Sequence, residues 1–272
     1  MSWTIFRPLI ILFSLLILLY PTEQFGKSEI RFSHLGKERG LSNAKVHAIL
    51  KDKKGFIWLG TTAGLNRFDG LSFKIYETDP DNPFSLSVPF VTSLHQNPAD
   101  SSNVIWIGTM GGGINKYDPE TDVFTHYHLQ ENLPNSLSND FISCIVSDSQ
   151  GNLWIGTHGG GMNIFNPVTE EFKCYRHNPD HPNSISNDDI WTIIQDRNGL
   201  IWIGTNGGGL NCFIPGKEIF LHFKNDPGDP ASISNNNIYS LCEDNQGKLW
   251  IGTQDLLNSL DLKQYQVSEK LS

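Results

Sequence analysis

The sequence predicts an all-β protein, a β-propeller of five four-stranded blades, on three observations. A Trp-[Ile/Leu]-Gly-Thr strand occurs five times, as Trp58-Leu59-Gly60-Thr61, Trp106-Ile107-Gly108-Thr109, Trp154-Ile155-Gly156-Thr157, Trp202-Ile203-Gly204-Thr205 and Trp250-Ile251-Gly252-Thr253. Successive tryptophans stand 48 residues apart at every step. Each copy also sits in the same succession of short apolar runs and turns. A fixed period near this length, with a short strand in each copy, marks a propeller array.

The third repeat shows the elements in order. Leu137-Ser138-Asn139 opens it, and Phe141-Ile142-Ser143-Cys144-Ile145-Val146 reads as the first strand. Asp148-Ser149-Gln150-Gly151 is a tight turn, with Asp at its start and Gly where φ > 0 is needed. Leu153-Trp154-Ile155-Gly156-Thr157 is the second strand, Gly159-Gly160-Gly161 a turn, and Met162-Asn163-Ile164-Phe165 the third strand. Asn166-Pro167 turns the chain into Phe172-Lys173-Cys174-Tyr175, the fourth. Four antiparallel strands joined by short turns make a blade. The second strands are apolar without alternation, which suits strands buried on both faces.

Three irregularities interrupt the pattern. Three extra residues precede Trp106, around Pro98-Ala99-Asp100-Ser101-Ser102. The first and fifth repeats replace the triple-glycine turn by Thr62-Ala63-Gly64 and Gln254-Asp255-Leu256. Residues 30–35 and 263–268 both read as an outermost strand, so two segments compete for one edge. The expectation is an incomplete ring whose first and last blades expose apolar faces.

Residues 9–20 form an apolar run behind Arg7, interrupted by Ser14 alone. That is the length of a signal-peptide core and shorter than the ~20 residues of a spanning helix. Residues 1–28 are therefore expected to be a signal peptide or membrane anchor, and residues 29–272 an exported propeller. The net charge of −9 and the lack of any Lys/Arg run exclude the footprint of a nucleic-acid binder. Cys144, Cys174, Cys212 and Cys242 form no Cys-x-x-Cys pair and are expected to be small buried residues.

Few motifs carry chemistry. The triple-glycine turns lead into strands and not into helices, so they lack phosphate-cradle geometry. The Asp-x-x-Gly segments lack the further acidic ligands of a calcium loop. His126 and His128 share one face of an outer strand, as metal ligands would, but no third ligand stands near and both are expected to be solvated. No metal, cofactor or catalytic residue is expected.

The informative positions vary inside this constant frame. Four residues after each Trp stand Thr62, Met110, His158, Asn206 and Gln254; near the start of each first strand stand His47, Thr92, Ser143, Trp191 and Tyr239. These turns and the crossovers into the first strands should share one face of a four-stranded blade. Met110, His158, Trp191, Asn206, Asn237 and Tyr239 are the candidate ligand-binding residues, since aromatic faces combined with amides suit sugar-like ligands.

The repeated Leu-Ser-Asn, Asp-x-x-Gly, Trp-Ile-Gly-Thr-x-Gly-Gly-Gly and Asn-x-[Phe/Tyr] pattern resembles the two-component regulator propeller repeat from about Leu41 onward. The resemblance implies the periplasmic sensor region of a membrane-bound, often hybrid, histidine kinase, many of which respond to glycans. It implies seven-bladed propellers, of which these five repeats would be an incomplete part. The implied partners are an oligosaccharide or other small ligand, the remainder of a kinase, and a dimer partner, with membrane contact only through the N-terminal segment. An exported propeller lyase or glycosidase, or an interaction scaffold, is the alternative.

Overall fold

The computed structural model describes residues 31–98, 100–133 and 135–263. The chain divides into two units, Met1–His34 and Leu35–Ser272. Of the first, residues 31–34 are described and carry no strand; the expected signal or anchor segment lies outside the described residues. No helix among the described residues is long and apolar enough to cross a membrane.

The second unit is a succession of antiparallel sheets, each running in chain order. The first strands of the five blades are Val46–Lys51, Val91–His95, Ile142–Ser147, Ile190–Gln195 and Ile238–Glu243. The tryptophan-bearing second strands are Ile57–Thr61, Ile105–Thr109, Leu153–Thr157, Ile201–Thr205 and Lys248–Thr253. Third strands follow at Gly64–Phe68, Ile114–Asp118, Met162–Asn166, Leu210–Ile214 and Leu257–Asp261. Fourth strands close the first four blades at Phe73–Tyr76, Val123–Tyr127, Glu171–Tyr175 and Ile219–Phe223. The fifth blade has three strands among the described residues.

The expected edge competition is not seen. Residues 31–35 form no strand, and Lys263 lies in a turn; Ile30 and residues 264–268 lie outside the described residues. Arg31-Phe32-Ser33-His34 offers a single apolar side chain, which is little to hold an edge strand.

Side chains repeat the frame from blade to blade. The Asp that opens each tight turn accepts the indole N–H of its tryptophan: Asp52 from Trp58 at 2.7 Å, Asp148 from Trp154 at 2.9 Å, Asp196 from Trp202 at 2.8 Å and Asp244 from Trp250 at 2.9 Å. Its other oxygen accepts a backbone N–H across the turn, as from Phe56 and Asn152. The acidic turns are thus structural, as the sequence indicated. The Ser of each opening motif is gripped twice by the Asn of the third strand. Ser138 N donates to Asn163 Oδ1 at 3.0 Å, and Asn163 Nδ2 donates to Ser138 Oγ at 2.7 Å. The same pair forms at Ser42/Asn66, Ser87/Asn115, Ser186/Asn211 and Ser234/Asn258. A buried amide with a full set of partners avoids a desolvation penalty of about 1–3 kcal/mol.

Blades pack through the glycine of Trp-[Ile/Leu]-Gly-Thr. A Cβ on Gly60 would stand 2.5 Å from Val91 Cγ1, and one on Gly108 or Gly204 would stand 2.6 Å from Ile142 Cγ2 or Ile238 Cγ2. The β-branched residue opening each following blade occupies the space a side chain would need. A Cβ on Gly252 would meet only Ser240 of its own blade. Trp58, Trp106, Trp154 and Trp202 are buried, while Trp250 is 36% exposed. At the other end Ile49 is 69% exposed, where its counterparts Ile145 and Ile193 are buried. The blades of this unit therefore form an open arc with two uncovered apolar faces.

The cysteines depart from expectation. Cys212 is buried, but Cys174 and Cys242 are exposed. Cys174 lies on an outer strand, and Cys242 stands on the uncovered face of the fifth blade, at the register its counterpart Ile194 fills inside the arc.

Candidate functional site

The turns after the second strands and the crossovers into the first strands share one face, as the strand order requires. Met110 N donates to Phe90 O, His158 N to Phe141 O, Asn206 N to Asp189 O and Gln254 N to Asn237 O, at 2.9–3.1 Å. Successive blades are latched here too, since Gly159 N and Gly161 N both donate to Asp188 O of the following blade. The first and third glycines of each triple have positive φ, as at Gly159 (83°) and Gly161 (81°), which explains the turn without any anion.

The first strands are one another's neighbours along the inside of the arc. Each carries a register shift at its second residue: His47, Thr92, Ser143, Trp191 and Tyr239. A bulge leaves its residue out of the ladder and re-aims the side chain. The five first-strand positions that vary in sequence are thus the five that the backbone turns away from the sheet. Thr92, Ser143, His158, Trp191 and Tyr239 line one open cleft of about 310 Å³. Trp191 and Tyr239 stack with ring centroids 4.8 Å apart and planes 9° apart.

His158 is oriented by a residue that the sequence reading did not single out. Its Nδ1 lies 2.9 Å from Asp189 Oδ1, and Asn206 Nδ2 donates to Asp189 Oδ2 at 2.8 Å. A carboxylate only accepts, so Nδ1 carries the hydrogen; in the corresponding neutral tautomer Nε2 is an acceptor. Asp189 holds the same place in its repeat as Asn237, directly before the first strand, which was the signal available. Of the other candidates, Asn206 joins the cleft only through Asp189. Asn237 Nδ2 donates to Gln254 Oε1 at 2.6 Å, one blade further on. Met110 does not line the cleft.

Other chemistry finds little support. Ser143 and His158 share the cleft, but the serine hydroxyl bonds weakly to Cys144 Sγ at 3.8 Å and not to the imidazole, so no nucleophile–base pair is formed. No group of three or more metal-ligating side chains occurs among the described residues. His126 is not simply solvated: its ring holds Ser85 O at 2.8 Å, as His222 holds Ser184 O at 2.7 Å.

Fold and face together define a propeller arc with a constant frame and a variable inner cleft. Residues 40–63, 136–159, 184–207 and 232–255 match the two component regulator propeller family, and these four of the five repeats are two component regulator propeller repeats. Each match runs from the opening motif through the tryptophan strand to the following turn; the second repeat, with its insertion, lies outside them. The chain is similar to the extracellular domain of the putative hybrid two component system BT3049 of B. thetaiotaomicron, at 27% identity and a TM-score of 0.66 over 85% of this chain and 36% of that one. The corresponding domain of BT4673 from the same organism shares the fold at 23% identity and a TM-score of 0.68, over 86% of this chain and 32% of that one. A 48-residue stretch is 50% identical to Histidine kinase P4 of Formosa agariphila, covering 18% of this chain and 4% of the kinase. The chain thus spans about a third of the solved domains it resembles. The stretches matched to the family are propeller repeats, with no catalytic domain among them.

Proposed function

We propose that this chain is sensor propeller of an extracytoplasmic two-component system, and that its inner cleft receives a glycan-like ligand. Its output partner is a histidine kinase to which the propeller reports, in a protein exported by the N-terminal segment to the periplasm. The observation that carries the reading is the coincidence of sequence variation with the bulges. The frame residues repeat because they hold the blades, and five residues that do not repeat, Thr92, Ser143, His158, Trp191 and Tyr239, line one cleft. There the Trp191/Tyr239 pair offers an aromatic platform for the apolar face of a sugar ring, and His158 Nε2 offers an acceptor for a hydroxyl. Asp189 fixes that ring in place, so little rotamer freedom is lost on binding.

The test is calorimetric titration of the full chain with a panel of oligosaccharides. One or more should bind, and Trp191→Ala should weaken binding at least about tenfold, roughly the 1–2 kcal/mol of a lost aromatic contact. Thermal stability should be little changed, because the side chain is outside the blade core. Binding that Trp191→Ala leaves intact, or no binding by any glycan, would overturn the reading.

A further inference from the structure

On the opposite face, between the second and third blades, the second repeat breaks the frame in three ways at one place. Asn97 stands where Asp52, Asp148, Asp196 and Asp244 stand elsewhere, the insertion around residues 98–102 follows it, and His95 replaces the apolar Leu50, Val146 and Ile194 opposite the tryptophan. The consequence is chemical. In the other four repeats the tryptophan N–H is bonded to its aspartate, but Trp106 Nε1 has no hydrogen-bond partner among the described residues, although the residue is only 3% exposed. Lys116 lies over the same indole, its Nζ 5.8 Å from the ring; among the described residues no carboxylate forms an ion pair with it, although, after the hydrogen bond from Ser102, its charge helps to hold the Asp100 carboxyl below the usual range. Both line a cleft of about 600 Å³. The matching cleft between the third and fourth blades is smaller, about 370 Å³, and its donors are satisfied, Trp154 by Asp148 and Lys173 by Glu218.

The second repeat alone thus leaves its indole N–H turned to an open cleft, available to a bound group, where the other four repeats tie it to a carboxylate. Two donors that no described residue hydrogen-bonds, one of them cationic, suit an oxyanion. The cleft also holds acidic groups. Asp100 is occupied by the N–H and hydroxyl of Ser102 at 2.8 and 2.6 Å, and Asp118 accepts from Glu120 N at 2.8 Å through one oxygen. The second oxygen of Asp118 makes no hydrogen bond among the described residues and suits a donor, such as a hydroxyl. We propose that this cleft is a second ligand site, distinct from the inner one, for a hydroxylated carboxylate such as an acidic sugar, with Trp106 Nε1 and Lys116 Nζ as donors to its oxyanion.

The test follows the Trp106 indole N–H resonance in the full chain by NMR, assigned through Trp106→Phe, during titration with glucuronate and, separately, glucose. Glucuronate should shift the resonance saturably and glucose should not. Lys116→Met should reduce the glucuronate affinity at least about tenfold while leaving the other indole resonances in place. An unmoved resonance, an equal response to glucose, or an undiminished response in the Lys116→Met protein would overturn the proposal. Because Trp191 reports on the inner cleft by its own indole resonance, either site can fail without the other.

Discussion

The same residues build the interface between the fourth and fifth blades and the outer face of the fifth, yet only the former is closed. Trp202 is fully buried and Trp250 is 36% exposed; Leu210 is buried and its counterpart Leu257 is 68% exposed. Both tryptophans donate to an aspartate at the same place, so the local geometry of the repeat survives without a neighbour. What the neighbour supplies is burial. In a linear array, stability is the sum of what each unit holds by itself and what each contact adds. The arc separates the two, because one repeat has the first term with half of the second.

The sharpest way to break this comparison is to truncate the tryptophans at each place. Trp154→Ala should lower stability by ~3–5 kcal/mol in urea unfolding, as large core truncations do. Trp250→Ala should lower it by less than half of that. Equal losses would show that the open face is covered in solution.

A smaller effect comes from His95, a half-buried residue whose Nε2 is itself buried and unpartnered among the described residues. Burial lowers its pKa from 6.5 to about 4. The unfolded state therefore binds a proton that the folded state refuses, and stability falls as the pH drops from 6.5 toward 4. The difference amounts to at most about 3 kcal/mol at the acid end. His95→Leu, which restores the residue type of Leu50, should flatten the stability profile across that window. A profile that keeps its slope would place the acid sensitivity elsewhere. Cys242, at the same register on the open face, has no such constraint and should tolerate polar substitution.

The smallest contrast is at the glycines. Gly204→Ala would drive a methyl into Ile238 and Thr192 and should cost ~1–3 kcal/mol, the range for overpacking. Gly252→Ala meets only a serine side chain able to rotate away, and its thermal midpoint should stay within a degree or two of the parent, about what a few tenths of a kcal/mol produce.

The frame was legible in the sequence because its residues answer to local rules that recur, the tryptophan strand in five repeats, the Asp-x-x-Gly turn in four and the glycine triple in three. The tryptophans, the Asp-x-x-Gly turns and the glycine triples sit where the spacing puts them. The inner face was half legible. Variation marked Trp191 and Tyr239, but the bond from His158 to Asp189 joins two blades, and a single repeat contains no sign of it. Met110 shared the turn position without reaching the cleft, since position within a repeat fixes the backbone and not the direction of the side chain. The exposed cysteines were misread for two reasons: Cys174 lies on an outer strand, and the burial of Cys242 depends on a neighbouring blade that is not present beside the fifth among the described residues.

The register shift in each first strand has a consequence for how such a chain changes over time. A residue left out of the ladder contributes little to the packing of its blade, so its identity is free to drift while the fold holds. With the inner cleft as the proposed ligand site, such positions would amount to a recognition alphabet whose letters can be exchanged singly. A new specificity would then arise by substitution alone, without insertion, deletion or any redesign of the scaffold.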